Sequence, residues 1–176
     1  AALTTHLTLG LWALYERRHF GWTRSEVTQL VLGLSIPLLI ANHVTGTRIS
    51  FAVFGTEKGY AQELYSFWVG TPWLGVVQVV ALIVAWIHGC IGMTLWLRLK
   101  PWFARAMPLL LTAAVLLPVL ALLGFFQGGR AIRALAQDPA WRAANLTPGQ
   151  VGLPAHNAVL AAWRDAWLAA WPGLIG

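Results

Sequence analysis

Apolar residues in this chain fall into long blocks separated by short polar clusters. The first block is Ala1–Tyr15. As a helix it covers roughly 22 Å, short of a hydrocarbon core of about 30 Å. It is therefore read as the inner end of a membrane span that begins upstream. "ERRHFGWTR" follows, and Ser25 with Glu26 opens a second span over Val27–Val44. A third starts at Thr71–Pro72, with Pro at a favourable first-turn position, and ends at Arg98 and Lys100. A fourth covers Met107–Phe126, and a fifth begins at Ala155. An amphipathic helix lying on the membrane is the alternative for that last segment. The pattern predicts an all-α, polytopic transmembrane bundle with about five spans.

Prolines and polar stretches refine the picture. Pro37 and Pro118 should each kink a span, because each removes one ladder hydrogen bond. The stretch from Thr45 to Gly70 reads as a mixed polar and aromatic connection. Within it, "EKGYAQELYSFW" is expected to form a short surface helix. "GGRAIRALAQDPAWRAANLTPGQVGLP" reads as a longer polar connection. The chain opens inside one apolar pattern and stops inside another, with no signal-peptide layout. Residues 1–176 are expected to be one membrane domain of a longer protein.

Composition agrees: 58% of the residues are hydrophobic and only 10% charged, against about 25% charged in soluble domains. The net charge of +6 would suggest nucleic acid until the basic residues are placed. Arg17, Arg18 and Arg24 share one short loop, and Arg98, Lys100 and Arg105 share another two spans away. The positive-inside rule makes both loops cytoplasmic. Arg130, Arg133 and Arg142, in the long last connection, run against the rule. With the charge explained by topology, no nucleic-acid partner is expected. The single cysteine, Cys90, lies in an apolar run, which leaves no disulfide framework; a buried inert thiol is the default.

The candidate chemistry is in the histidines: His6, His19, His43, His88 and His156. His19 lies in a cytoplasmic loop. Ionisable residues inside a membrane are rare and usually face the protein interior. His6 precedes Glu16 by ten residues and His88 precedes Arg98 by ten. Both therefore sit roughly 15 Å above the inner interface, on spans running the same way. Gly10 and Gly92 follow them at i+4, on the same helix face, where a missing side chain leaves room for a macrocycle edge. Two neutral imidazoles facing each other across a bundle can hold a b-type haem. A histidine here can also do no more than bond a carbonyl on the next helix, with small residues allowing close packing. His43 lies roughly 25 Å up, near the outer interface, and His156 is expected on the same side. They are candidates for a second haem, and Arg48 for contact with a haem propionate.

No phosphate-binding glycine loop, nucleophile elbow or metalloprotease histidine pair occurs. Six acidic residues offer no carboxylate dyad. Chemistry must come from a cofactor or from a domain outside the chain.

"NHVTGTR" and "WIHGCIG", with the sequence from Gly10 to about Ala144, resemble the N-terminal membrane region of certain bacterial class III adenylate cyclases. That region has about six spans and is similar to the cytochrome b anchor of succinate dehydrogenase and fumarate reductase. It precedes a ferredoxin-like iron–sulfur domain and the cyclase domain. The resemblance implies a multi-pass protein of the bacterial inner membrane, with the cluster cysteines and the catalytic aspartates of the cyclase outside this chain. It implies one or two haems b, with His6, His43 and His88 as candidate ligands. Quinone is a further candidate ligand. The partners implied are the lipid bilayer, the chain's own downstream cyclase domain and a second copy in a homodimer. The leading expectation is a redox-sensing anchor that regulates the making of cyclic AMP from ATP. The alternatives are a b-type respiratory subunit passing electrons to quinone, and a structural anchor with no cofactor.

Overall fold

The structure is a computed structural model describing residues 2–18 and 21–175. It is all-α, with no strand among the described residues. In chain order the helices are α1 (Ala2–Tyr15), α2 (Arg24–Leu39), α3 (Ala41–Val44), α4 (Ser50–Phe54), α5 (Tyr60–Tyr65), α6 (Pro72–Leu97), α7 (Phe103–Leu135), α8 (Pro139–Asn145), α9 (Pro148–Val151) and α10 (Pro154–Ile175). Two π-helical turns interrupt this order: Thr45–Ile49 between α3 and α4, and Ser66–Gly70 between α5 and α6.

Among the described residues, three stretches of helix are long and apolar enough to cross a membrane: Arg24–Phe54, Pro72–Leu97 and Phe103–Leu135. Five were expected. Helix α1 has only 14 described residues. Helix α10 is long enough at 22 residues, but Arg164–Asp165, His156 and Asn157 dilute its apolar character, and alanines supply much of the rest. The three long helices turn large apolar side chains outward, Leu109 at 74% and Leu111 at 61% exposure among them. A contiguous surface of this kind matches a lipid environment.

The first long helix starts one step earlier than Ser25. Thr23 is its N-cap: its hydroxyl accepts from the Glu26 amide, and the Glu26 carboxylate accepts from the Thr23 amide. This reciprocal capping box satisfies two backbone donors that would otherwise lack partners. Arg17 pairs with Glu26 at 3.3 Å and lies over the Trp22 ring. The C-terminal end of α1 is thereby tied to the start of α2.

The expected connection from Thr45 is instead more helix. Thr45 and Thr47 donate their hydroxyls back to the Ala41 and His43 carbonyls, at 2.8 and 2.6 Å. That local bonding lets the chain continue through the π turn. The helix stops at Gly55, whose left-handed φ of +66° suits glycine. The expected surface helix is present as α5. Its Gln62 and Leu64 are buried, and it packs on α7.

Helix α7 also outruns expectation, reaching Leu135 rather than Phe126. The paired glycines at 128 and 129 do not break it, because Trp68 lies against Gly129 and Leu64 against Gly128. The first strong stop is Asp138–Pro139, where Asp138 caps α8. Pro118 leaves the Ala114 carbonyl without its usual helical donor. The Trp86 indole of α6 donates to that carbonyl at 2.7 Å. A proline readable in one span is thus completed by a tryptophan from the next.

Helix α10 lies along the C-terminal half of the first long helix. Arg164 donates to Asn42 Oδ1 at 2.7 Å and pairs with Asp165.

Candidate functional site

The closest packing between spans is that of α2 on α6. Its centre is an exchange of two polar side chains and two glycines. His88 of α6 rests on Gly33 of α2, where a Cβ would lie 2.8 Å from His88 Cε1. Gln29 of α2 rests on Gly92 of α6, where a Cβ would lie 2.9 Å from Gln29 Nε2. Each polar residue stands four positions before a glycine on its own helix, and the helices are antiparallel, so each side chain fills the other helix's notch.

The hydrogen bonds fix the state of the His88 ring. Nδ1 lies 3.0 Å from the Gln29 main-chain carbonyl. A carbonyl only accepts, so Nδ1 carries the proton and donates. In the neutral ring Nε2 then holds the lone pair. The Gln29 side-chain amide nitrogen lies 3.5 Å from Nε2. Its other amide atom, Oε1, is buried without a hydrogen-bond partner.

His6 comes from the other side. Among the described residues α1 makes no extended contact with another helix, yet the His6 ring meets His88 with centroids 6.0 Å apart and planes at 83°. The residues expected at equal depth are brought together. Gly10 faces open space, with nothing within 4 Å of the position a Cβ would take. Gly92 does not: the notch expected beside a macrocycle holds the Gln29 amide. His88 also bonds a carbonyl on the next helix, as the structural alternative requires. That bond uses Nδ1 and leaves Nε2 for another partner.

The spacing fits a haem iron. Two imidazoles on opposite faces of one metal have ring centres about 6 Å apart, from two bonds of about 2 Å and about 1 Å more within each ring. A bond from the remote ring nitrogen to a carbonyl is the usual support of a metal-binding imidazole.

His43 and Arg48 lie elsewhere. His43 is fourteen residues beyond Gln29, about 21 Å along the helix. It lines a cavity of about 380 Å³ with Thr47, Lys58, Tyr60, Glu63 and Gln78, walled by Phe67 and Phe125. Both π turns contribute to its lining, and such turns are frequent at functional sites. Glu63 Oε1 is buried with no partner. Burial raises the Glu63 carboxyl above the usual carboxylate range, and the Lys58 and His43 charges pull the other way. Arg48 borders an adjoining hollow with Glu57 and Lys58.

His156 stacks on Phe54 at 4.1 Å. Phe54 lies eleven residues past His43, about 16 Å further along, so His43 and His156 stand at different levels. Cys90 is a free, half-buried thiol. His19 lies outside the described residues.

Sequence reasoning missed Gln29, Gly33, Trp86 and Glu63. Gln29 had a usable signal, since its spacing to Gly33 repeats that of His88 to Gly92. Glu63 had none, because its burial depends on how α5 settles on α7.

Compared with protein-family models, curated proteins and solved structures, the chain matches none of them.

Proposed function

We propose that this chain is the haem-b-bearing membrane domain of a bacterial redox sensor, anchoring and regulating a cytoplasmic adenylate cyclase domain. The observation that carries the haem reading is the His6–His88 pair, 6.0 Å between ring centres with crossed planes.

On this reading His6 and His88 would hold the haem iron, and Gln29 and Gly33 would orient the His88 ring. When bound, the haem would supply one-electron redox chemistry. The chain's own part is to hold two neutral imidazoles at one depth and to shield them with apolar helix. The cyclase assignment rests on the resemblance of "NHVTGTR" and "WIHGCIG" to that family. It carries with it the inner membrane, the multi-pass arrangement with α1 and α10 also within the bilayer, a homodimer, and exchange with the quinone pool.

The test is the absorption spectrum of the protein purified from membranes. A low-spin b-type spectrum is expected, altered or lost in His88→Ala and in His6→Ala. A well-folded protein with no such band would remove the haem reading. For the sensor, cyclase activity in the longer protein should respond to redox conditions, and His88→Ala should abolish that response without changing the isolated catalytic domain. An equal response in both would remove it.

A further inference from the structure

Most polar groups between α2 and α6 have an evident partner, but one side chain is only half satisfied. The Gln29 amide is pressed into the Gly92 notch, with its nitrogen facing the His88 Nε2 lone pair at 3.5 Å and its oxygen buried and unpaired. The same residue's main-chain carbonyl takes the Nδ1 proton at 3.0 Å. One residue thus addresses both nitrogens of the ring. The main-chain bond persists whatever binds at Nε2. The side-chain bond is long, near the outer limit for such a contact, and is made at the cost of a stranded oxygen. A group in that state gives way readily to a stronger partner for the lone pair.

We propose that Gln29 is the positioning residue of His88: its carbonyl fixes the ring in the tautomer that presents Nε2, and its side-chain amide caps Nε2 until haem displaces it. This rests on the haem reading above, and it changes the role of Gly92. The glycine makes room for the capping amide rather than for the macrocycle. A methyl group there would meet the far end of a flexible side chain, so Gly92→Ala should expel the amide without disturbing the helices.

Two measurements decide it. The first uses haem-free wild-type protein in lipid nanodiscs and reads the ¹⁵N shifts of the His88 ring. Protonated Nδ1 and unprotonated Nε2 are expected, with the Nε2 signal moving in Gln29→Leu. The opposite tautomer, an imidazolium, or an unmoved Nε2 signal would overturn the proposal. The second titrates ferric protoporphyrin IX into the wild type, Gln29→Leu, Gly92→Ala and the double variant. Each single variant should bind about three- to tenfold more tightly, the scale of one hydrogen bond lost by a competitor. The double variant should gain no more than the stronger single, because both changes remove the same contact. Unchanged or weaker binding in both singles would overturn the cap. Absence of binding in every protein would refute the haem reading instead, and the nitrogen shifts would still decide whether Gln29 sets the ring.

Discussion

The inner histidine and the outer one sit in opposite environments. His88 lies in an apolar interface where each ring nitrogen faces one group from a single neighbour, Gln29. His43 lines an open cavity with an amine, a carboxyl, an amide and two hydroxyls around it. With few polar groups present, each pairing at His88 follows from donor and acceptor chemistry alone. Each site leaves one oxygen without a partner, Gln29 Oε1 beside His88 and Glu63 Oε1 at the cavity, but at the cavity more groups compete for each pairing. Scarcity makes a buried site specific. Abundance at an interface leaves it adaptable, because water can complete what the protein does not.

The largest effect that would break this comparison is spectroscopic. His88→Ala should remove or alter the b-type absorption, while His43→Ala should leave it unchanged. Loss of the band in His43→Ala instead would place the ligand pair on the outer side.

Chemical labelling sharpens which side is which. A cysteine replacing Lys58, in a Cys90→Ala background, should react with an impermeant reagent added outside intact cells. One replacing Arg18 should not. The reverse pattern would invert the orientation drawn from the basic loops.

A smaller effect is expected at Trp86, which completes the carbonyl freed by Pro118. Trp86→Phe keeps an aromatic ring but strands the Ala114 oxygen. It should lower stability by about 1–2 kcal/mol in a reversible unfolding assay. No loss would mean that the carbonyl finds another donor.

The smallest effect concerns Glu63. Its carboxyl is raised in the folded protein, so the folded state holds that proton more tightly than the unfolded chain does. The stabilisation is present at low pH and fades as pH rises from the unfolded value through the folded one. Glu63→Gln should flatten this part of the pH profile and raise the melting temperature at neutral pH. A variant less stable than wild type at neutral pH would show the ionised carboxylate to be held by a partner.

The spans beginning at Pro72 and Phe103 could be read from length and apolarity, because a helix in lipid must satisfy its backbone internally. The matched positions of His6 and His88, each ten residues before a charged residue, could be read too, and their rings lie 6.0 Å apart. The ends were less legible. The threonines of Thr45–Ile49 looked like a break, yet their hydroxyls bond back to the helix and carry it on to Phe54. Gly128–Gly129 looked like the start of a connection, yet Trp68 and Leu64 cover the missing side chains.

By itself, then, the sequence determined the all-α architecture and the long apolar helices at its centre, both being properties of one helix at a time. Tertiary structure decided that Gln29, rather than open space, fills the Gly92 notch, that Trp86 serves the Pro118 gap, and that Glu63 is buried. Each of these depends on the rotation and offset of one helix against another. A span lined all round with similar apolar residues does not encode that rotation in its own pattern; it is set where a polar side chain finds a partner and a glycine lets it in.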